Sequence, residues 1–99
     1  MPRNAGPKPL EWARAAQAAF EASIEFIAGE DPFSERLVVQ RFEKALVEIQ
    51  LHPGIGRPAG VRGRRAFPIA GTGHIINYRE TRDAIRILRW YRGRRNVLR

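Results

Sequence analysis

Residues 64–92 read RRAFPIAGTGHIINYRETRDAIRILRWYR, and the alternation in this stretch decides the fold. Arg65, Phe67 and Ile69 fall on every second position. Gly71-Thr72-Gly73 then supplies a turn, and Ile75, Asn77 and Arg79 alternate against His74, Ile76 and Tyr78. Period-two patterns on either side of a glycine-rich turn predict a β-hairpin. After Thr81-Arg82-Asp83, the segment from Ala84 to about Arg92 is dense in β-branched and aromatic residues. Strict alternation would put Ile85 and Ile87 on one face and Leu88 and Trp90 on the other. Apolar side chains on both faces predict a central strand.

Working back towards the N-terminus, the period changes to that of helices. Trp12, Ala16, Phe20, Ile24 and Ile27 form one stripe, with Arg14, Gln17, Glu21 and Glu25 on other faces and Gly29 as a C-terminal stop. Asp31 offers a carboxylate to free backbone N–H groups, and Pro32 fits a first helical position, where its missing donor costs nothing. A second stripe of Val38, Phe42, Ala45, Leu46 and Ile49 should end before Pro53, which disfavours a helical conformation at His52. The short Gly29–Pro32 connection predicts two antiparallel helices. A short strand around Pro9–Glu11 could join the sheet at an edge. The order β-α-α-β-β-β predicts a single α+β domain over residues 1–99, with Met1–Pro7 as a loose terminus. A helical hairpin covers one face of a mainly antiparallel sheet, and the opposite face is more polar.

Charge is divided along the chain. Residues 1–56 carry six basic and eight acidic side chains, whereas residues 57–99 carry twelve arginines against Glu80 and Asp83 alone. The C-terminal part is therefore +10 and the rest −2, which accounts for the net +8. Every basic residue in the second part is arginine, whose planar and permanently charged fork suits phosphate or carboxylate. The working surface is expected there, and its partner is expected to be anionic. Cysteine is absent, which excludes a disulfide framework and cysteine-ligated zinc. Two histidines and scattered carboxylates show no metal-ligand spacing, and no cofactor is called for. Neither a membrane span nor a signal-peptide pattern is present, so the expectation is a soluble cytoplasmic protein with no membrane partner.

An ordered set of motifs resembles the RelE/ParE superfamily of bacterial toxins from type II toxin–antitoxin pairs. It comprises the helix pattern from Trp12, the junction Leu51-His52-Pro53-Gly54-Ile55-Gly56-Arg57-Pro58, the pair Arg64-Arg65, Ile76-Asn77-Tyr78-Arg79, and Ile85-Arg86-Ile87-Leu88-Arg89 running into Gly93-Arg94-Arg95. The resemblance spans nearly the whole chain. It implies a toxin neutralised by a cognate acidic antitoxin, and it leaves the target to be decided between two branches.

Members resembling RelE cut mRNA in the ribosomal A site with basic residues on the concave sheet face. Aligned on the Gly-Thr-Gly turn, the lysine positions of that pattern fall on Ala66 and Pro68, and an arginine position falls on Ile75. None of these side chains can move a proton or stabilise a phosphorane. A ribonuclease reading would have to rest on Tyr91, Arg92 and Arg94, and arginine is a poor general acid or base. The other branch, ParE, binds DNA gyrase and stabilises cleaved DNA without hydrolysis. The Gly-Ile-Gly-Arg-Pro junction, the Tyr78-Arg79 strand and the Gly-Arg-Arg close resemble ParE more closely. A plain nucleic-acid-binding module is a third reading, served by arginine–phosphate contacts but lacking a helix-turn-helix or an RNP-type aromatic pair.

The residues assigned to target or antitoxin binding are Arg57, Arg65, Arg79, Arg89, Arg92, Arg94 and Arg95. Several have a structural alternative. Arg57 and Arg65 could pair with helix carboxylates such as Glu43 or Glu48, and Arg86, Arg89 and Arg92 could form a solvated strand face. His74 could be a base or a residue satisfied within the fold, and Trp90 could stack on a base or pack in the core.

Overall fold

The computed structural model describes residues 7–93. Strand β1 (Leu10–Trp12) leads into helix α1 (Arg14–Glu30) and helix α2 (Pro32–Leu51). Strands β2 (Arg57–Pro58), β3 (Arg64–Pro68), β4 (His74–Glu80) and β5 (Ile85–Arg92) follow. They form one five-stranded sheet in the order β1-β5-β4-β3-β2. Only β1 and β5 are parallel, with Leu10 opposite Ile85 and Trp12 opposite Ile87; the other pairings are antiparallel. The architecture is the expected α+β one, and β5 lies inside the sheet, between β1 and β4.

Asp31 is the whole connection between the helices. Its N–H donates to the Ile27 carbonyl and closes α1, while its carboxylate accepts from the Phe33 N–H at 3.0 Å and the Ser34 hydroxyl at 2.8 Å and opens α2. Those bonds, Ser34's foremost, hold its pKa below the usual 3.8. Gly29 therefore lies inside α1 and does not stop it. A glycine costs a helix about 1 kcal/mol relative to alanine, too little to end one that an aspartate closes two residues later. Trp12 likewise belongs to β1 and not to the first helix, because its backbone is taken up by the ladder to β5. Its ring still reaches the interior, with its centroid 5.6 Å from those of both Phe20 and Phe42.

The core lies between the helices and one face of the sheet. Ala16, Val38, Phe42, Ala45 and Ile49 from the helices meet Ile76, Tyr78, Ile85, Ile87 and Trp90 from β4 and β5. Each fully buried aliphatic side chain contributes about 1.5–3 kcal/mol. Trp90 is 4% exposed and lies on the same face as Ile85 and Ile87, contrary to strict alternation. The cause is a β-bulge. Asn77 pairs with Arg89 and Tyr78 with Ile87, so Leu88 is an extra residue that resets the phase of β5. Trp90 thereby meets Phe20 and Phe42 edge-on and donates its indole N–H to the Ser23 hydroxyl at 3.0 Å. Among the described residues, no helix is long and apolar enough to cross a membrane.

Candidate functional site

The register sorts the arginines between the two faces of the sheet. On the face away from the helices, Arg64 lies opposite Arg79 and Arg79 opposite Arg86, so three guanidinium-bearing residues form one row across β3, β4 and β5. At the end of that row Glu11 of β1 is level with Arg86, and their side chains approach to 3.5 Å. The adjacent row runs Arg89, Asn77, Ala66, Arg57. Five arginines thus share this open face, with Glu11 as the acid at its edge.

Two of them are held under unusual conditions. The Nε atoms of Arg64 and Arg79 are buried without a hydrogen-bond partner. Arg79 donates from Nη2 to the Arg62 carbonyl at 3.2 Å. A guanidinium cannot shed its proton to escape such a position. The third row of the face is apolar and aromatic: Tyr91, Ile75 and Pro68 lie side by side. Tyr91 donates its hydroxyl to the Asn77 amide oxygen at 3.0 Å, and the Arg89 guanidinium lies 4.4 Å from the centre of its ring.

Arg65 and Arg92 belong to the other face. Arg65 pairs with Tyr78 across the ladder and donates to the Gly56 carbonyl at 2.7 Å, not to Glu43 or Glu48. Beside it the buried Tyr78 hydroxyl donates to the Pro53 carbonyl at 2.7 Å and accepts from the Gly56 N–H at 2.9 Å. Burial raises the Tyr78 pKa above 10.0, opposed first by the Gly56 hydrogen bond. A methyl group on Gly56 would come within 2.8 Å of that hydroxyl, so only glycine fits. The Pro53–Gly56 junction and Tyr78 are therefore one structural clamp.

Arg92 lies opposite His74 at the far end of the sheet, beside α1, in a cleft also lined by Ser23, Phe26 and Ile27. His74 is buried and stacked on Trp90 at 4.6 Å, with Nδ1 unpartnered. Burial, then the positive charge of Arg92, hold its pKa below 6.5. His74 is thus a packed imidazole kept neutral. Tyr91 and Arg92 occupy opposite faces of β5, so the two do not converge on one point. Arg94 and Arg95 lie outside the described residues.

Sequence reasoning singled out Arg57, Arg79 and Arg89 on the open face but did not place Arg64 and Arg86 among the binding residues. The signal was available only through register, which the bulge at Leu88 conceals. Arg41 was also missed. It donates to the Ala70 carbonyl at 2.7 Å and anchors the Gly71–Gly73 turn, where both glycines have positive φ, to α2.

The sequence profile of the family described as "ParE toxin of type II toxin-antitoxin system, parDE" matches residues 10–97. The chain belongs to the ParE toxin family. It is a toxin of the ParDE kind. The match runs from β1 through all the elements that carry the core. A relative from Sinorhizobium fredii, named "Putative toxin Y4kP", is 29% identical over 76 residues, covering 77% of this chain and 79% of that one. Among solved structures, a chain of the "Chromosomal ParDE TA system from P. aeruginosa" superposes with a TM-score of 0.75 at 26% identity, covering 88% of this chain and 97% of that chain.

Proposed function

We propose that this ParE-family chain inhibits DNA gyrase and is neutralised by a cognate acidic antitoxin. What supports the non-hydrolytic reading is the centre of the open face. Ala66, Pro68 and Ile75 stand where a ribonuclease of this superfamily needs basic groups, and Pro68 and Ile75 are direct cross-strand neighbours. Tyr91, the one phenol nearby, is engaged with Asn77, and Arg92 is on the other face. The arginines of this face could stabilise charge on a phosphate, but general acid–base work has no free carrier among its described residues.

An antitoxin partner is supported by the relative drawn from a ParDE system. Its acidity follows from the +10 charge of residues 57–99. Arg57, Arg89 and Arg79 on the open face, with Arg92 at the sheet end, are the candidate contacts within the described residues. The segment Arg94–Arg99 is proposed to carry part of the gyrase contact.

The test is a paired assay on the purified chain. Gyrase supercoiling should be inhibited with accumulation of cleaved DNA, and mRNA on programmed ribosomes should remain intact. A-site cleavage that disappears in Tyr91→Phe would replace this reading with the ribonuclease one. Coexpression with the neighbouring reading frame should yield a stable complex with an acidic protein that restores growth.

A further inference from the structure

We propose that the arginine row on the helix-free face, Arg64, Arg79 and Arg86, grips the phosphate backbone of duplex DNA directly, so that the protein contacts DNA as well as its protein target. The inference goes beyond gyrase inhibition and is tested on naked DNA, so either can fail without the other.

Three observations on the row point to an external anion. First, adjacent strands are separated by roughly 4.8 Å, so the three backbones of the row span roughly 10 Å and aim their like charges at one side of the sheet. Second, the fold gives them little in return. Glu11 reaches only Arg86, at 3.5 Å and in an exposed setting, and the Nε atoms of Arg64 and Arg79 have no acceptor at all. Those Nε atoms are sealed from solvent, but the charge they belong to is permanent and has no carboxylate partner among the described residues, and an oxyanion at the outer edge of these half-buried side chains would balance it. Third, Arg57 and Arg89 flank the row on the same face, which extends the positive field beyond one phosphate.

The choice of duplex over single strand follows from what the face lacks. Proteins that hold unpaired bases offer free aromatic platforms. The aromatic ring on this face, Tyr91, is half-buried, tied to Asn77 and covered by Arg89. Contact with charge but without stacking suits a closed helix, whose phosphates are also the denser array.

The experiment measures fluorescence anisotropy of a labelled 20-base-pair DNA duplex of arbitrary sequence with the full chain, over a series of salt concentrations. With three to five phosphates contacted, affinity should fall roughly 40- to 500-fold between about 50 and 200 mM salt. Arg64→Gln, Arg79→Gln and Arg86→Gln should each weaken binding and lower the slope of log affinity against log salt by about 1. Arg14→Gln and Arg36→Gln remove the same charge from the helical layer on the other side and should leave the slope unchanged. Glu11→Gln should tighten binding by releasing Arg86, an effect that a merely structural row would not produce. Arg86 is half-exposed, so its variant keeps the test valid should Arg64→Gln or Arg79→Gln fail to fold. Equal losses from the helical-layer variants would reduce the effect to bulk charge and overturn the proposal. Tighter binding to single-stranded DNA or RNA of the same length would also overturn it. So would row-dependent binding of polyglutamate with none of DNA, since the row would then be a site for an acidic peptide.

Discussion

At Tyr78 a single phenol holds the junction between the helical layer and the sheet. Its hydroxyl serves two backbone groups at once, the part-buried Pro53 carbonyl and the buried Gly56 N–H. Tyr78→Phe strands both without changing the shape of the side chain, and the expected cost is about 1–3 kcal/mol, read as a shift in the urea midpoint with unchanged slope. Gly56→Ala should destabilise by a different route, because its methyl group would collide with the same hydroxyl and with the Ala66 carbonyl. His74 gives a pH-dependent signature. Its folded pKa is depressed below 6.5 by burial and by Arg92, so the unfolded chain binds more protons through the window just below that value. Its contribution to stability is complete above about pH 6.5 and is lost as the pH falls through and below it. Thermal melts at pH 7.5 and 5.5 should show this loss, and His74→Phe, which keeps a ring on Trp90, should flatten the difference.

At the scale of elements the bulge in β5 is the feature that sequence periodicity could not deliver. Alternation read forward from Ile85 puts Trp90 on the wrong face, because nothing in Ile85-Arg86-Ile87-Leu88-Arg89 marks Leu88 as the residue without a partner. The same gap hid the arginine row, since Arg86 aligns with Arg79 only once the ladder is known. By contrast, both helices were legible from their apolar stripes, and the Asp31-Pro32 pair marked the start of α2 correctly because capping is a local matter. β2 has two residues, too few to carry any period, and so was not expected. With the bulge kept, inserting one alanine after Leu88 should shift the phase of the rest of β5, move Trp90 to the open face and abolish folding, measured as loss of soluble cooperative unfolding. Leu88→Ala keeps the extra residue and should be tolerated far better.

For the whole molecule the decisive quantity is the charge asymmetry. Twelve arginines against two acids in residues 57–99 repel one another in a small domain, and five of them share one face. Stability should therefore rise with ionic strength as the repulsion is screened. Phosphate or sulfate should raise Tm more than sodium chloride at equal ionic strength, because a bound oxyanion adds its own binding free energy to the folded state. Differential scanning fluorimetry in matched buffers checks this, and Arg79→Gln should shrink the gap between the anions.

The parallel pairing of β1 with β5 has a consequence in time. Glu11 and Arg86, neighbours in the finished sheet, are 75 residues apart in the chain, and β5 is the partner that both β1 and β4 require. A polypeptide emerging from the ribosome can form its helices and the β2-β3-β4 meander early. Its first strand must wait for its last, and that last strand also brings Trp90, around which Phe20 and Phe42 gather. Contacts this distant are slow to close. An interrupted translation product ending before β5 therefore has neither a finished sheet nor an assembled arginine row. For a toxin this ties the proposed contacts to completion, since they come into being only once β5 has joined its neighbours.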